Sequence, residues 1–158
     1  MKVEKLAVSD LHVLTELFDH NNVEQMISDC THNIQNGLID IFVLYDQDVL
    51  IGELRVKYEC EDECFAKRSI RAYLYAFRVR EDFQNKGYGT FLLKTVIDML
   101  KEQGYCEFTV GVEDNNDRAN HIYQGLRFNE FLLRKHEEYQ GDAYEYNLYL
   151  KREVNSRG

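Results

Sequence analysis

The chain has 158 residues, of which 44% are hydrophobic and 30% are charged, a composition typical of one globular domain. Its formal net charge of −9 would repel nucleic acid phosphates, so we predict no nucleic acid partner. No apolar run approaches the roughly 20 residues that cross a bilayer. The N-terminus is charged and amphipathic, unlike a secretory or transit peptide. We therefore predict a cytoplasmic protein with no membrane partner.

The four cysteines occur at irregular spacing, which favours reduced thiols over a disulfide scaffold. Cys60 and Cys64 form a C-x3-C pair. The sequence contains no second pair of ligands at a spacing typical of zinc sites. We therefore expect no metal.

The first third of the chain is predicted to contain a strand and two helices. Residues 2–8 can form the strand, and Ser9 or Asp10 can cap the first helix. The apolar residues of that helix recur at helical spacing: Leu11, Leu14, Leu17 and Phe18. A second helix is predicted over 22–36, ending near Gly37.

The middle of the chain is typical of β-structure. Residues 41–46 and 49–58 are predicted strands, and 46–48 joins them as a hairpin turn. After an acidic loop over 59–69, residues 70–80 alternate and are rich in aromatic side chains, which predicts another strand.

The last part alternates helices with strands. A helix with apolar residues at i, i+3, i+4 and i+7 follows residue 90 and ends near Gln103-Gly104. Residues 106–112 are a predicted strand and 116–123 a short helix. Two further strands are predicted over 127–134 and 143–151. This order predicts an α/β fold with helices on the faces of a sheet.

Residues 84–90, with the sequence QNKGYGT, place two of the chain's 9 glycines where a helix begins. The phosphate loop of nucleoside triphosphatases is excluded, since no Lys-Ser/Thr follows either glycine. The dinucleotide fingerprint is excluded because Leu92 stands at its third glycine position. A glycine turn at a helix N-terminus still favours an anion, and residues 78–94 hold four basic residues against two acidic ones.

Residues 79–90 resemble the acetyl-CoA signature of the GNAT superfamily of N-acetyltransferases. A second segment, Asn116-x-x-Ala119-x-x-x-Tyr123 followed by Phe128, resembles another motif of that family. Two positions differ from the family pattern: Arg127 replaces a glycine, and residues 73–79 lack the glutamate that serves as general base in some members.

The resemblance implies a fold and a domain organisation. We expect one GNAT-like domain over 1–151 and a polar C-terminal tail over 152–158. The implied fold is a mixed, mostly antiparallel sheet of about six or seven strands, flanked by about four helices. Its fourth and fifth strands are expected to splay apart.

The resemblance also implies acetyl-CoA as the acyl donor, with no metal. Its pyrophosphate would lie against the amides of 84–90, where glycines allow close approach, and its pantetheine arm would pair with the end of the fourth strand. Arg80, Lys86 or Arg118 could add positive charge. The implied donor-binding residues are Phe77, Arg78, Val79, Gln84, Asn85, Lys86, Gly87, Tyr88, Gly89, Thr90, Asn116, Ala119 and Tyr123.

Two residues are predicted to act in catalysis. The resemblance makes Tyr123 the proton donor to the departing thiolate. Glu53 is the leading candidate for the general base, because strand alternation would place it on one face with Ile51 and Arg55. Glu113 and Asp114 are alternatives.

The predicted function is transfer of an acetyl group from acetyl-CoA to a primary amine by direct attack. The acidic loop over 59–69 favours a cationic acceptor, either a small molecule or a peptide amine. The alternative is a CoA-binding sensor or interaction module without catalysis. The sequence leaves a homodimer open.

Overall fold

The computed structural model describes residues 1–17, 21–139 and 141–153. Within these residues, seven strands form one sheet. They are β1 Lys2–Lys5, β2 Ile39–Asp46, β3 Val49–Lys57, β4 Arg71–Val79, β5 Glu107–Val112, β6 Glu130–Tyr139 and β7 Asp142–Arg152. The α-helices are α1 Val23–Gln35, α2 Tyr88–Glu102 and α3 Asp117–Gly125, and the 3₁₀ helices are Val8–Glu16 and Glu81–Phe83.

The strands lie in the order β1-β2-β3-β4-β5-β7-β6. Every neighbouring pair is antiparallel except β4 and β5, which are parallel. Their pairing begins at Arg71 with Glu107 and ends at Leu74 with Val110. Beyond Leu74, β4 continues without β5 to Val79. The predicted mixed sheet and its splay between the fourth and fifth strands are therefore confirmed.

Helices cover both faces of the sheet, as alternation along β2 requires. Phe42 and Leu44 pack with Leu92 and Leu93 of α2 in one buried cluster. Ile41 belongs to a second cluster, on the opposite face. That cluster contains Leu11 and Leu14 of the 3₁₀ helix and Cys30 of α1.

The helices predicted over 22–36 and 116–123 are confirmed, and each begins after an asparagine cap. The Asn22 side chain accepts from the Gln25 amide at 3.0 Å, and α1 follows it. The Asn116 side chain accepts from the Ala119 amide at 3.2 Å, and α3 follows it.

The first predicted helix differs from its expectation. It is a 3₁₀ helix that begins after Ala7, rather than an α-helix capped by Ser9 or Asp10. Leu11 and Leu14, three residues apart, are both buried, and a helix with three residues per turn places them on one face. Phe18 and residues 154–158, most of the predicted tail, lie outside the described residues.

The predicted alternation of β3 is interrupted by a bulge. Leu44 and Tyr45 of β2 pair with Gly52 and Leu50, so Ile51 is an extra residue. Ile51 packs with α2, whereas the Arg55 guanidinium reaches Cys30 of α1 at 3.7 Å. The expectation that Ile51, Glu53 and Arg55 share a face was therefore wrong for Ile51.

Two further findings on the described residues concern membrane spans and metal sites. None of their helices is long and apolar enough to cross a membrane. They also contain no cluster of three or more His, Cys, Asp or Glu side chains placed to hold a metal ion.

Candidate active site

A second bulge lies in β4, at the point where this strand leaves β5. Glu53 and Arg55 of β3 pair with Arg78 and Tyr75, so β4 contains one extra residue. Ala76 there has a φ of +50°. This left-handed conformation costs a residue with a Cβ atom about 1–2 kcal/mol. Such strain beside an open strand edge is typical of a functional site.

The splay encloses a cavity of about 570 Å³, which we call the splay cavity. Its walls come from β4, the end of β5, α3 and the hairpin of β6 and β7. Aromatic side chains are prominent among its lining residues, including Tyr73, Tyr75, Phe77, Tyr123 and Tyr146.

The glycine turn opens α2 beside this region. Gly87 is the N-cap residue, with a φ of +88°, so it provides no side chain to accept from the first-turn amides. Asn85 is also left-handed, at +63°. A Cβ atom on Gly87 would meet nothing within 4 Å, whereas one on Gly89 would lie 2.8 Å from Phe77 Cζ. Gly87 thus allows the left-handed turn and leaves the space beside it open, whereas Gly89 permits close packing of α2 against β4.

A continuous groove runs from this turn to the splay cavity. The cavity beside the turn, of about 630 Å³, shares Gln84 and Arg118 with a second cavity of about 370 Å³. That second cavity in turn shares Phe77, Asn116 and Ala119 with the splay cavity. We call the cavity beside the turn and this second cavity together the long groove. The donor-binding residues predicted from the two motifs line these cavities, except Lys86 and Tyr88. The Tyr88 hydroxyl instead donates to Asp46 Oδ2 at 2.8 Å.

The three basic residues considered from the sequence have different surroundings. The Arg80 guanidinium donates to the carbonyl oxygens of Leu50 and Glu16, at 3.1 and 3.2 Å, and so joins structural elements. Lys86 Nζ lies 5.8 Å from the centre of the Phe83 ring. Arg118 is exposed and lines both cavities of the long groove. Of the three, Arg118 is therefore best placed to meet an anion in the long groove, whereas Lys86 lies next to Gly87 and lines neither cavity.

Tyr123 extends from α3 into the wall of the splay cavity and is 6% exposed. Its ring packs against Phe77 and Phe128, with centroids 6.1 and 5.7 Å apart. Burial, and secondarily Tyr73, raise the pKa of its hydroxyl far above the ordinary value. The phenol therefore stays protonated, and its hydroxyl is available as a hydrogen-bond donor in the cavity wall.

Glu53 does not line the groove or the splay cavity. It is fully buried, and its Oε2 accepts from Arg55 Nε at 3.1 Å. Its Oε1 lies 3.9 Å from the guanidinium of Arg78, a residue that lines both spaces. Burial raises the pKa of Glu53, and Arg55 opposes that rise. Glu53 therefore contacts the lining of the cavity through Arg78 and does not itself face the cavity.

The two alternative bases lie at the end of β5. Asp114 accepts from Arg134 at 3.0 Å and from Asn147 at 2.6 Å, and these bonds lower its pKa. Asp114 therefore serves to connect the end of β5 to Arg134 on β6 and Asn147 on β7. Glu113 lines the splay cavity.

Two functional candidates were missed from the sequence. The hydroxyl of Tyr146 on β7 donates to Oε1 of Glu137 on β6 at 2.8 Å, and both residues line the splay cavity. The signal was weak, because their strands were predicted as 127–134 and 143–151, and Glu137 falls in the gap between them. Alternation along the full hairpin, with cross-strand pairing, would have put the two side chains on one face.

A fourth cavity, of about 600 Å³, adjoins the splay cavity through the shared residues Tyr73, Tyr75, Glu137 and Tyr146. We call it the acidic cavity. Four carboxylates and two lysines line it: Glu59, Glu61, Asp62, Glu137, Lys57 and Lys135. The rings of Tyr73 and Tyr75 stack at 5.5 Å in the shared wall.

Comparisons with known proteins agree with this geometry. The model of a family described as Acetyltransferase (GNAT) family matches residues 9–128. A 64-residue segment is 36% identical to the [ribosomal protein bS18]-alanine N-acetyltransferase of Salmonella typhimurium, covering 40% of this chain and 43% of that relative. An 83-residue segment is 30% identical to streptothricin acetyltransferase A of Bacillus subtilis, covering 49% of this chain and 48% of the relative. The matches thus span less than half the length of either curated relative.

A solved structure is similar over the whole fold. It is a putative acetyltransferase from Salmonella typhimurium with its cofactor acetyl-CoA, and it superposes with a TM-score of 0.72. The likeness covers 100% of this chain and 96% of the other, at 14% sequence identity. At 14% sequence identity, this similarity shows that the two proteins share a fold.

Proposed function

Because this chain belongs to the acetyltransferase (GNAT) family, we propose that it transfers an acetyl group from acetyl-CoA to a primary amine. The observation that carries the proposal is the continuous groove from the glycine turn to the splay cavity, with buried Tyr123 in the cavity wall. The groove provides a place for a long donor, and the acidic cavity provides a separate approach for an acceptor.

The first part of the proposal concerns donor binding. The uncapped first turn of α2 suits the pyrophosphate, because helix N-terminal amides and the helix dipole stabilise anions. Arg118 and Lys86 add positive charge beside that turn. The open edge of β4 beyond Leu74 offers backbone groups to the pantetheine arm. These features support the donor residues predicted from both motifs.

The chemistry requires a neutral amine and a protonated leaving group. An alkylamine with a pKa of about 10.4 loses its proton at pH 7 at a cost of roughly 3.4 units, or about 4.6 kcal/mol. The nitrogen lone pair then attacks the thioester carbonyl, and Tyr123 donates its proton to the departing thiolate. This assignment rests on the burial of Tyr123 and its place in the cavity wall.

We infer that the acceptor is cationic, either a small amine or a peptide amine. The acidic cavity favours positive charge through its excess of carboxylates. Its aromatic wall offers additional cation–π contact. The two curated relatives are named for a ribosomal-protein alanine and for streptothricin, which also leaves both acceptor types in the proposal.

The alternative of a CoA-binding sensor without catalysis is not favoured. Each relative described above is named as an acetyltransferase. The cytoplasmic location and the single-domain organisation over 1–151 stay predictions.

The proposed function is tested by donor binding followed by turnover. Acetyl-CoA at a hundred times its dissociation constant should stabilise the fold by about 2.7 kcal/mol. For a chain of this size, that corresponds to a melting temperature raised by about 5–10 °C. Release of free CoA thiol should then be measured against a panel of monoamines, polyamines and peptides. Stabilisation without thiol release on any amine would favour the sensor, and absence of both would overturn the proposal.

The acceptor proposal has its own test in Glu61→Gln. Glu61 lines the acidic cavity and makes no hydrogen bond or ion pair within the described chain, so the change should leave the fold intact. We expect kcat/KM for a diamine to fall about threefold to tenfold, with an unchanged acetyl-CoA dissociation constant. Glu102→Gln, at the far end of α2, is the matched control. Equal kcat/KM values in both variants would place the acceptor elsewhere.

A further inference from the structure

Tyr146 and Glu137 form a hydrogen-bonded pair in the wall between two cavities. The Tyr146 hydroxyl donates to Glu137 Oε1 at 2.8 Å. Both residues line the splay cavity and the acidic cavity. Glu137 is exposed, whereas Tyr146 is half-buried. The pair therefore connects a group in the splay cavity to solvent in two steps.

The sheet holds this pair in place. Tyr146 pairs directly with Lys135, and Glu137 is the diagonal neighbour two residues on, which is within reach of a tyrosine side chain. A Cβ atom on Gly111 would lie 2.7 Å from Tyr146 Cδ2 and 3.4 Å from the Tyr73 hydroxyl. Glycine at the end of β5 therefore lets the Tyr146 ring lie over that strand, facing the splay.

We propose that the Tyr146 hydroxyl and the Glu137 carboxylate form the proton path that deprotonates the acceptor amine. The inference rests on the proposed function and assigns the base that β4 lacks. Tyr146 contacts the amine, and Glu137 acts through Tyr146.

The proton movements balance as follows. One N–H bond of the ammonium breaks, and its proton passes to Tyr146 Oη while the hydroxyl proton passes to Glu137. Glu137 releases that proton to solvent. The freed nitrogen lone pair forms the N–C bond, the electron pair of the C–S bond leaves on the CoA sulfur, and the sulfur takes a proton from Tyr123. The nitrogen, which is positive after the attack, then loses its second proton along the same path. Tyr123 regains a proton from solvent, so each turnover releases one proton.

Two other features favour this pair over two of the carboxylates considered earlier, Glu53 and Asp114. Glu53 is fully buried and its carboxylate is turned to Arg55, and Asp114 is held by Arg134 and Asn147. Burial, and next the hydrogen bond to Glu137, raise the pKa of Tyr146 far above the ordinary value. Tyr146 thus remains a hydroxyl that passes protons on.

Other titratable groups face the same space, and the test must separate their effects. Tyr73 and Tyr75 flank the pair from β4, and burial raises the pKa of each to about 12. The remaining titratable residues in the two cavities are Lys57, Glu59, Cys60, Glu61, Asp62, Arg78, Glu113, Tyr123, Lys135 and Tyr144. Amine substrates of different pKa distinguish proton removal from changes in these groups.

The test compares Tyr146→Phe and Glu137→Gln with two matched controls. Tyr149→Phe removes a hydroxyl on the same strand, and Glu138→Gln removes a neighbouring charge, and neither control residue lines the cavities. With an alkylamine of pKa about 10.4 at pH 7, we expect kcat to fall about 100-fold in the two test variants. The loss should shrink as pH rises toward 10. The loss of kcat should also be smaller than about tenfold with a peptide α-amine of pKa about 7.7–8.0, because that amine is already partly neutral at pH 7.

A third variant tests the geometry without removing a titratable group. Gly111→Ala should displace the Tyr146 ring and reproduce the same dependence on amine pKa. Acetyl-CoA affinity should stay unchanged in all variants.

The outcomes are distinct. Unchanged kcat in Glu137→Gln would overturn the path while leaving the proposed function intact. A loss independent of pH and of amine pKa would show a positioning role and overturn it as well. Absence of turnover by the unmodified protein on every amine would overturn the proposed function, and the path with it.

Discussion

Gly87 and Gly89 lie two residues apart, yet they answer different physical needs. Gly87 holds a left-handed conformation with open space where a side chain would be, whereas Gly89 is buried against Phe77. The sequence suggested that both glycines admit a phosphate. Its close contact with Phe77 shows that Gly89 is required for packing. Substitution of Gly87 should therefore affect binding, whereas substitution of Gly89 should affect stability.

We expect Gly87→Ala to weaken acetyl-CoA binding about tenfold, equivalent to about 1.4 kcal/mol, because the turn must strain or shift. Gly89→Ala should instead lower stability by about 1–3 kcal/mol through overpacking against Phe77. Calorimetric titration and thermal melting measure the two effects. If packing is the cause, Phe77→Leu added to Gly89→Ala should recover part of the melting temperature. No recovery would contradict this assignment.

Tyr123→Phe tests proton donation, because it keeps the ring and removes the hydroxyl. We expect kcat to fall by roughly 10² to 10⁴, the usual range for a positioned proton donor. Acetyl-CoA affinity should change little, since the interaction is made mainly in the transition state. Tyr105→Phe, which alters another buried tyrosine outside the cavities, is the control for packing. Retention of more than about a third of turnover would remove Tyr123 from the mechanism.

Among the elements, the β4 bulge decides which side chains reach the splay. An extra residue reverses the faces of the residues that follow, so it fixes where Phe77 and Arg78 point. Ala76 carries the strain of that reversal with its positive φ. The bulge therefore couples backbone conformation to the shape of the groove.

Substitutions at Ala76 should reveal that coupling. Ala76→Gly suits the positive φ, and we expect near-normal stability and acetyl-CoA affinity. Ala76→Val places a β-branched residue where such residues are outliers. We expect a melting temperature lowered by several degrees and at least tenfold weaker acetyl-CoA binding. Melting curves and titrations of both variants test this, and equal behaviour of glycine and valine would mean that the bulge does not shape the groove.

The difference between local signals and pairing of strands explains why sequence reasoning found the cofactor turn but missed part of the site. Asn22, Asn116 and Gly87 have local roles as caps, which short-range chemistry reveals. The bulges at Ile51 and Ala76 depend on register between strands, and neither residue type is characteristic of a bulge. The pair of Tyr146 and Glu137 likewise exists only through pairing of two strands. Local signals were therefore sufficient for the helices and the turn, and insufficient for side chains placed by register.

On the scale of the whole molecule, the splay cavity lies between two regions of different charge. The long groove meets α2 at the positive end of its dipole, near Lys86 and Arg118. The acidic cavity lies on the other side, within a chain of net charge −9. An anionic donor and a cationic acceptor would thus approach the splay cavity from opposite sides, each toward complementary local charge.

Ionic strength should therefore affect a dicationic acceptor strongly. The Debye length falls from about 30 Å at 0.01 M salt to about 3 Å at 1 M, which removes long-range attraction by the acidic cavity and the net charge. We expect kcat/KM for a diamine to fall at least about tenfold across that range, mainly through KM, because steering raises the local concentration of the acceptor. A monoamine of equal length and similar pKa should lose less. Steady-state kinetics at fixed, saturating acetyl-CoA measure both acceptors, and Glu61→Gln should reduce the salt dependence for the diamine. Identical salt curves for monoamine and diamine would mean that the charge of the acidic cavity does not select the acceptor.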